Sequence, residues 1–236
     1  MKKHLILQLM LVINIALVSQ LVFAQKTEER KLNSFKAVKI GGSFNVILQE
    51  GNTESIKITA SGIALDDVIT ENEGSTLSIR IQNDRWNSRT NYNYTVDIVL
   101  TYKNLEKINS SGSSRIHAKS IIRSNDFDLV LSGSGKFKGG VETQRLNVAL
   151  SGSGDIEING SAKEQNISIS GSGDVQAIDL KSSVTKIKIS GSGNAKIHAS
   201  EELEANISGS GDIRFAGNPQ KQILKSAGSG SIKKIN

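Results

Sequence analysis

The sequence predicts an all-β chain: a single-stranded, β-helix-like solenoid of about seven 19-residue coils, right-handed by expectation, with an N-terminal β region that caps it. Three observations carry this prediction. A motif of small residues, mostly Ser-Gly-Ser-Gly, recurs seven times, with first glycines Gly112, Gly133, Gly152, Gly171, Gly191, Gly209 and Gly228 at spacings of 21, 19, 19, 20, 18 and 19. A period near twenty marks a stacked repeat. Apolar residues alternate with polar ones in constant phase on both sides of each motif, which is the signature of strands with one buried face. The chain also has one proline, Pro219, and no cysteine, so it must hold together by packing and backbone hydrogen bonds rather than by a disulfide framework.

Taken in order, residues 1–24 read as a secretory signal. Lys2, Lys3 and His4 precede an almost wholly apolar run from Leu5 to Val22, and Val22 and Ala24 occupy the small-residue positions before a cleavage point at Gln25. The run is also long enough to span a bilayer if uncleaved. Cleavage leaves 212 of the 236 residues, enough for one elongated domain with a continuous core. Residues 25–104 form the N-terminal β region, with strand candidates at 35–40, 44–49, 55–60, 77–81 and 94–102. This region is expected to cover the first coil, because an open solenoid end exposes sheet edges.

Residues 105–236 are the repeat region. Two residues before the corner glycine stand Leu131, Leu150, Ile169, Ile189 and Ile207; four after it stand Ile116, Phe137, Ile156, Val175, Ala195, Ile213 and Ile232. A one-residue slip would turn every inward side chain outward. The variation in spacing is therefore expected in the polar stretches 159–165, 179–185 and 199–202, read as loops. Corner residues must be small because each coil lies about 4.8 Å from its copy, and six such intervals make a stack roughly 29 Å long. Glycine also reaches positive φ freely. Each buried aliphatic side chain contributes roughly 1.5–3 kcal/mol, a gross gain mostly offset by chain ordering. A left-handed six-residue helix or a stack of antiparallel hairpins could use similar corners. An outer-membrane barrel fits less well, since its strands are longer and flanked by aromatic girdles.

Composition narrows the chemistry. The formal charge of +6 falls to +4 once Lys2 and Lys3 leave with the signal, and the basic residues are scattered among carboxylates. That distribution argues against nucleic-acid binding. Without cysteine there is no thiolate metal site, cysteine nucleophile or lipid-bearing cysteine. His117 and His198 have no serine or carboxylate partner specified by the pattern, so no catalytic residue, metal or cofactor is expected. Two binding candidates stand out. Asp155, Asp174, Asn194 and Asp212 follow four successive corners and would form an outward ladder, either of cation or carbohydrate ligands or of corner-bracing acceptors. The loop 82–94 holds Arg85, Trp86, Arg89, Tyr92 and Tyr94, residue types suited to sugar or protein recognition, or to a hairpin whose aromatics fold back on the sheet.

The segment "FKAVKIGGSFNVILQEGNTESIKITA", then "GSTLSIRI", "YKNLEKINSSGSS" and the serial "SGSGDI" corners resemble the head GIN domain of the putative auto-transporter adhesin family of exported Bacteroidetes proteins, over residues 33–236. The resemblance implies a β-helix-like fold without assigned catalytic residues, and an adhesive role. The chain departs from an autotransporter in having no translocating barrel segment. The expected function is an exported, non-catalytic binding or adhesion module of the periplasm, cell surface or medium, whose partner is an envelope protein or glycan. A glycan-binding or glycan-active solenoid and a self-associating structural envelope protein are the alternatives.

Overall fold

The computed structural model describes residues 25–82 and 94–235, so residues 1–24, read from the sequence as a secretory signal, lie outside the described residues. Apart from one 3-10 turn, Leu65–Asp67, the regular structure described is β. The N-terminal third contributes β1 (Lys26–Lys31), β2 (Ala37–Gly42), β3 (Asn45–Glu50), β4 (Ser55–Ser61), β5 (Val68–Glu73), β6 (Thr76–Ile81) and β7 (Thr95–Tyr102). There follow β8 (Lys107–Gly112), β9 (Arg115–Ala118), β10 (Ile122–Gly133), β11 (Lys136–Gly152), β12 (Asp155–Gly171) and β13 (Asp174–Ala177). The chain closes with β14 (Leu180–Gly191), β15 (Ala195–His198), β16 (Glu202–Gly209), β17 (Ile213–Ala216), β18 (Lys221–Ala227) and β19 (Ile232–Lys234).

The repeat region is a parallel β-solenoid in strict register. Gly112, Gly133, Gly152, Gly171, Gly191 and Gly209 pair in succession, so every coil presents the same atom of its corner to the next. The strands before the corner stack as one ladder and those after it as another. Inside, the columns predicted from alternation are buried: Leu131, Leu150, Ile169, Ile189 and Ile207 are each at most 3% exposed. The stack behaves as a single core because each inward side chain touches its counterparts above and below.

One corner has no Ser-Gly-Ser-Gly mark. Strands β2 and β3 stack in parallel on β8 and β9, with Gly42 opposite Gly112, so the corner column begins at Gly42. The coils above carry glycine two residues after the corner, whereas these two carry Ser114 and Phe44. The fully buried Ser114 Oγ donates to Gly42 O at 2.9 Å and accepts from Phe44 N at 3.1 Å, which joins segments 70 residues apart in sequence. Beyond this coil the parallel ladder continues to β6 and β7. It then becomes antiparallel: β5 pairs with β6, and β4 with both β7 and β1.

Of the polar stretches read as loops, 159–165 and nearly all of 179–185 are paired strand, while 199–201 is irregular as expected. β11 and β12 run from one corner to the next, and Gly160–Glu164 lie in register against Leu180–Val184. The reason is that a solenoid coil has backbone polar groups on every side, and stacking satisfies them wherever coils touch. The irregular spacing is absorbed at the turn 178–179, on the edge of one expected stretch, and at 199–201, within another.

A cluster of polar side chains also enters the interior further along the stack. Gln165 is fully buried in the column of Phe127, Leu146 and Leu203; the two hydrogens of its Nε2 are shared among Ser182 Oγ at 2.8 Å, Thr185 Oγ1 at 2.9 Å and the His198 carbonyl at 2.9 Å. Its Oε1 meets no donor among the described residues. His198 is half-buried against this cluster rather than free in solvent, and the Ser182 N–H donates to its Nδ1 at 3.4 Å, which requires the neutral ring. Burial lowers its pKa, and Lys181 lowers it further. The unfolded chain therefore takes up a proton near pH 6.5, before the folded one does, so this stability is present above that pH and declines as pH falls through it. We expect the thermal midpoint of wild type to fall between pH 7.5 and pH 5.0 by more than that of His198→Gln. Parallel pH profiles of the two proteins would refute the assignment.

Candidate functional site

The sequence-predicted residues occupy different places. Arg85, Trp86, Arg89 and Tyr92 lie outside the described residues, and Tyr94 is half-buried, packed on the core at the start of β7. The aspartate ladder is present as a stack after the corners, and its acceptors are engaged. Asp174 Oδ1 accepts from Asn194 N at 2.9 Å and Nδ2 at 3.0 Å, and Asn194 Oδ1 accepts from Asp212 N at 3.0 Å. Asp212 Oδ1 accepts from the Ser231 hydroxyl at 2.8 Å and amide at 3.0 Å; these bonds, the hydroxyl's foremost, hold its carboxyl below the usual range. Asp155 pairs with Lys136 Nζ at 2.6 Å. From Asp174 to Ser231 each ladder side chain therefore ties its coil to an amide of the next one.

A groove of about 510 Å³ lies elsewhere, on the outward face of the ladder that precedes the corners, across β10, β11, β12, β14 and β16. Alternation creates it. The residues three before each corner glycine point outward, and in three successive coils they are Val130, Ala149 and Ser168, too short to fill the space above the sheet. Beside them, five before the glycine, runs the column Asp128, Asn147, Asn166, Lys186 and Glu204. Lys188 and Asn206 continue the small-residue column at its far end.

The amides of this second column form a chain along the stack. Asn147 Nδ2 donates to Asp128 Oδ1 at 2.9 Å, and Asn166 Nδ2 donates to Asn147 Oδ1 at 3.1 Å. The ion pairs at its margins, Lys107 with Asp128 and Lys186 with Glu164, are each 3.5 Å long and exposed, so they contribute little stability. The lining carries two carboxylates, Asp128 and Glu204, and two ammonium groups, Lys186 and Lys188, so its formal charges cancel. Asn166 Oδ1, Ser168 Oγ, Lys188 Nζ and Asn206 Oδ1 have no protein partner among the described residues and are free to bond a ligand. Nothing here pairs a nucleophile with a base; the arrangement can hold a ligand, by hydrogen bonds over a flat floor.

Sequence reasoning missed this face because its attention went to residues of conspicuous chemistry. A signal existed nonetheless. Outward strand positions in the repeat are mostly long and charged, whereas three successive coils place a small residue at the same outward position.

Comparison with known proteins matches residues 34–219 to the family model described as putative auto-transporter adhesin, head GIN domain. Among solved structures, a putative adhesin from Bacteroides fragilis superposes with a TM-score of 0.82 at 21% identity, over 90% of this chain and 97% of that one. A putative adhesin from Parabacteroides distasonis gives 0.70 at 21% identity, over 91% and 98%. A protein from the same species described as a putative lipid binding protein gives 0.70 at 26% identity, over 90% and 97%. No curated protein matches.

Proposed function

Since this chain belongs to the putative auto-transporter adhesin, head GIN domain family, we propose that it is an exported, non-catalytic adhesion module that holds its target on the outward face of the solenoid. The observation that carries this reading is the groove over Val130, Ala149 and Ser168, with unpartnered polar atoms along a rigid ladder. A site built on stacked strands is already organised before its ligand arrives, which lowers the entropy lost on binding. Export agrees with the basic start and apolar run at 2–22, read as a secretory signal. The lipid-binding description of one neighbour would call for apolar space, and the interior columns of this chain are filled by buried side chains. The surface groove is thus the better place to seek a ligand.

The test is retention of the fluorescently labelled mature chain on intact bacterial cells. Ala149→Arg puts a long charged side chain into the groove without touching the core. Retention is expected to drop about tenfold, a loss of roughly 1.4 kcal/mol, with the thermal midpoint unchanged. Equal retention of the variant would remove the groove from consideration as the adhesive face. No retention of wild type, or cleavage of a polysaccharide by it, would overturn the adhesin reading itself.

A further inference from the structure

Resting on that reading, we infer that the groove's ligand is an uncharged linear polysaccharide, laid along the stack axis so that successive sugars meet successive coils. Direction comes first. The groove crosses five strands, β10, β11, β12, β14 and β16, so its long axis runs across the strands and along the stack. Four intervals at strand spacing make it roughly 19 Å long. The same step separates each of its chemical features from the next, and that step is close to the length of one pyranose in an extended chain. A polymer with this repeat can lay one sugar over each successive coil, whereas a compact ligand would meet only one or two.

Chemistry comes second. The centre of the hydrogen-bonding column is two successive amides, Asn147 and Asn166, with Asn206 in the adjoining column, and an amide can both donate and accept, as a sugar hydroxyl can. Asn166 Oδ1, Ser168 Oγ and Asn206 Oδ1 have no protein partner among the described residues. The floor of Val130 and Ala149 is apolar and shallow, and suits the C–H face of a sugar ring. Charge comes third. With Asp128 and Glu204 balancing Lys186 and Lys188, the groove has no net field to attract a polyanion such as a polyuronide or a nucleic acid.

The test is calorimetric titration of the mature chain with β-1,4-linked gluco-, xylo- and manno-oligosaccharides from disaccharide to octasaccharide, with oligogalacturonate as the anionic comparator. At least one neutral series is expected to bind with affinity that climbs to about five sugars and then levels, a gain of tenfold or more over the disaccharide. Ser168→Arg should reduce that affinity at least tenfold, while Asp174→Ala, on the other ladder, should change it less than twofold. Affinity independent of chain length, equal or tighter binding of oligogalacturonate, or an unaffected Ser168→Arg variant would each overturn the inference. So would failure of all three neutral series to bind. If those failures occur while Ala149→Arg still abolishes retention on cells, the ligand class is wrong and the adhesive face stands. Loss of both would end the broader reading too.

Discussion

Replacing Gly171 with alanine is expected to cost at least about 3 kcal/mol, measured as a shift of the urea midpoint at constant slope. Two independent causes act at this position. Gly171 has φ of +120°, where an L side chain is strained, and a Cβ there would lie 2.5 Å from the carbonyl oxygen of Gly152 in the coil below. That oxygen cannot withdraw, because it accepts the hydrogen bond from Ser172 N at 2.9 Å. Gly74 separates the two causes. It also has positive φ, +61°, in the turn between β5 and β6, but nothing lies within 4 Å of its absent Cβ. Gly74→Ala should therefore cost only the conformational part, about 1–2 kcal/mol. Ser170→Ala, at an exposed site on the same corner, should fall within about 0.5 kcal/mol of wild type. If Gly171→Ala and Gly74→Ala proved equally costly, stacking would not be what keeps the corners small.

The second large effect is at Phe137. This residue is 1% exposed, and its ring fills space that a neighbouring position leaves open. Gly139 occupies the inward column of Leu48, Ala118 and Ile158; a Cβ on it would stand 2.7 Å from Ala118 Cβ and 3.1 Å from Phe137 Cζ. The phenyl ring thus serves as the side chain of two positions. Phe137→Ala removes both at once and should cost about 3–5 kcal/mol, with Phe137→Leu well below that. Thermal or urea denaturation reads the difference. A cost below about 1 kcal/mol for the alanine variant would mean that the coils close over the space.

These two predictions also mark how far the amino-acid pattern could be followed. Phe137 was visible as an inward residue from alternation alone, yet Gly139 broke the same alternation without visible cause. Only packing shows that the Phe137 ring, two residues earlier on the same strand, substitutes for the missing side chain. Gly42 is a similar case. Its corner was illegible because Phe44 stands where the usual second glycine would be, and because four strands are inserted before the next coil. The Ser114 hydroxyl that replaces a glycine contact is a bond between segments 70 residues apart, and no local pattern encodes it.

The binding face divides the same way. The aspartates after the corners were legible as a ladder, since a constant phase places them in one column; whether their oxygens were free was not legible, because their partners come from the next coil. The outward small residues Val130, Ala149 and Ser168 were legible singly and meaningless singly. By itself the sequence determined a stacked β repeat with its period and its inward columns, because period, alternation and small corners are each local properties of the chain; pairing between coils decided that they stack in parallel. The tertiary structure alone decided which outward column became a groove and which became a brace, because that depends on the atoms of neighbouring coils that fill, or leave unfilled, the space beside each side chain.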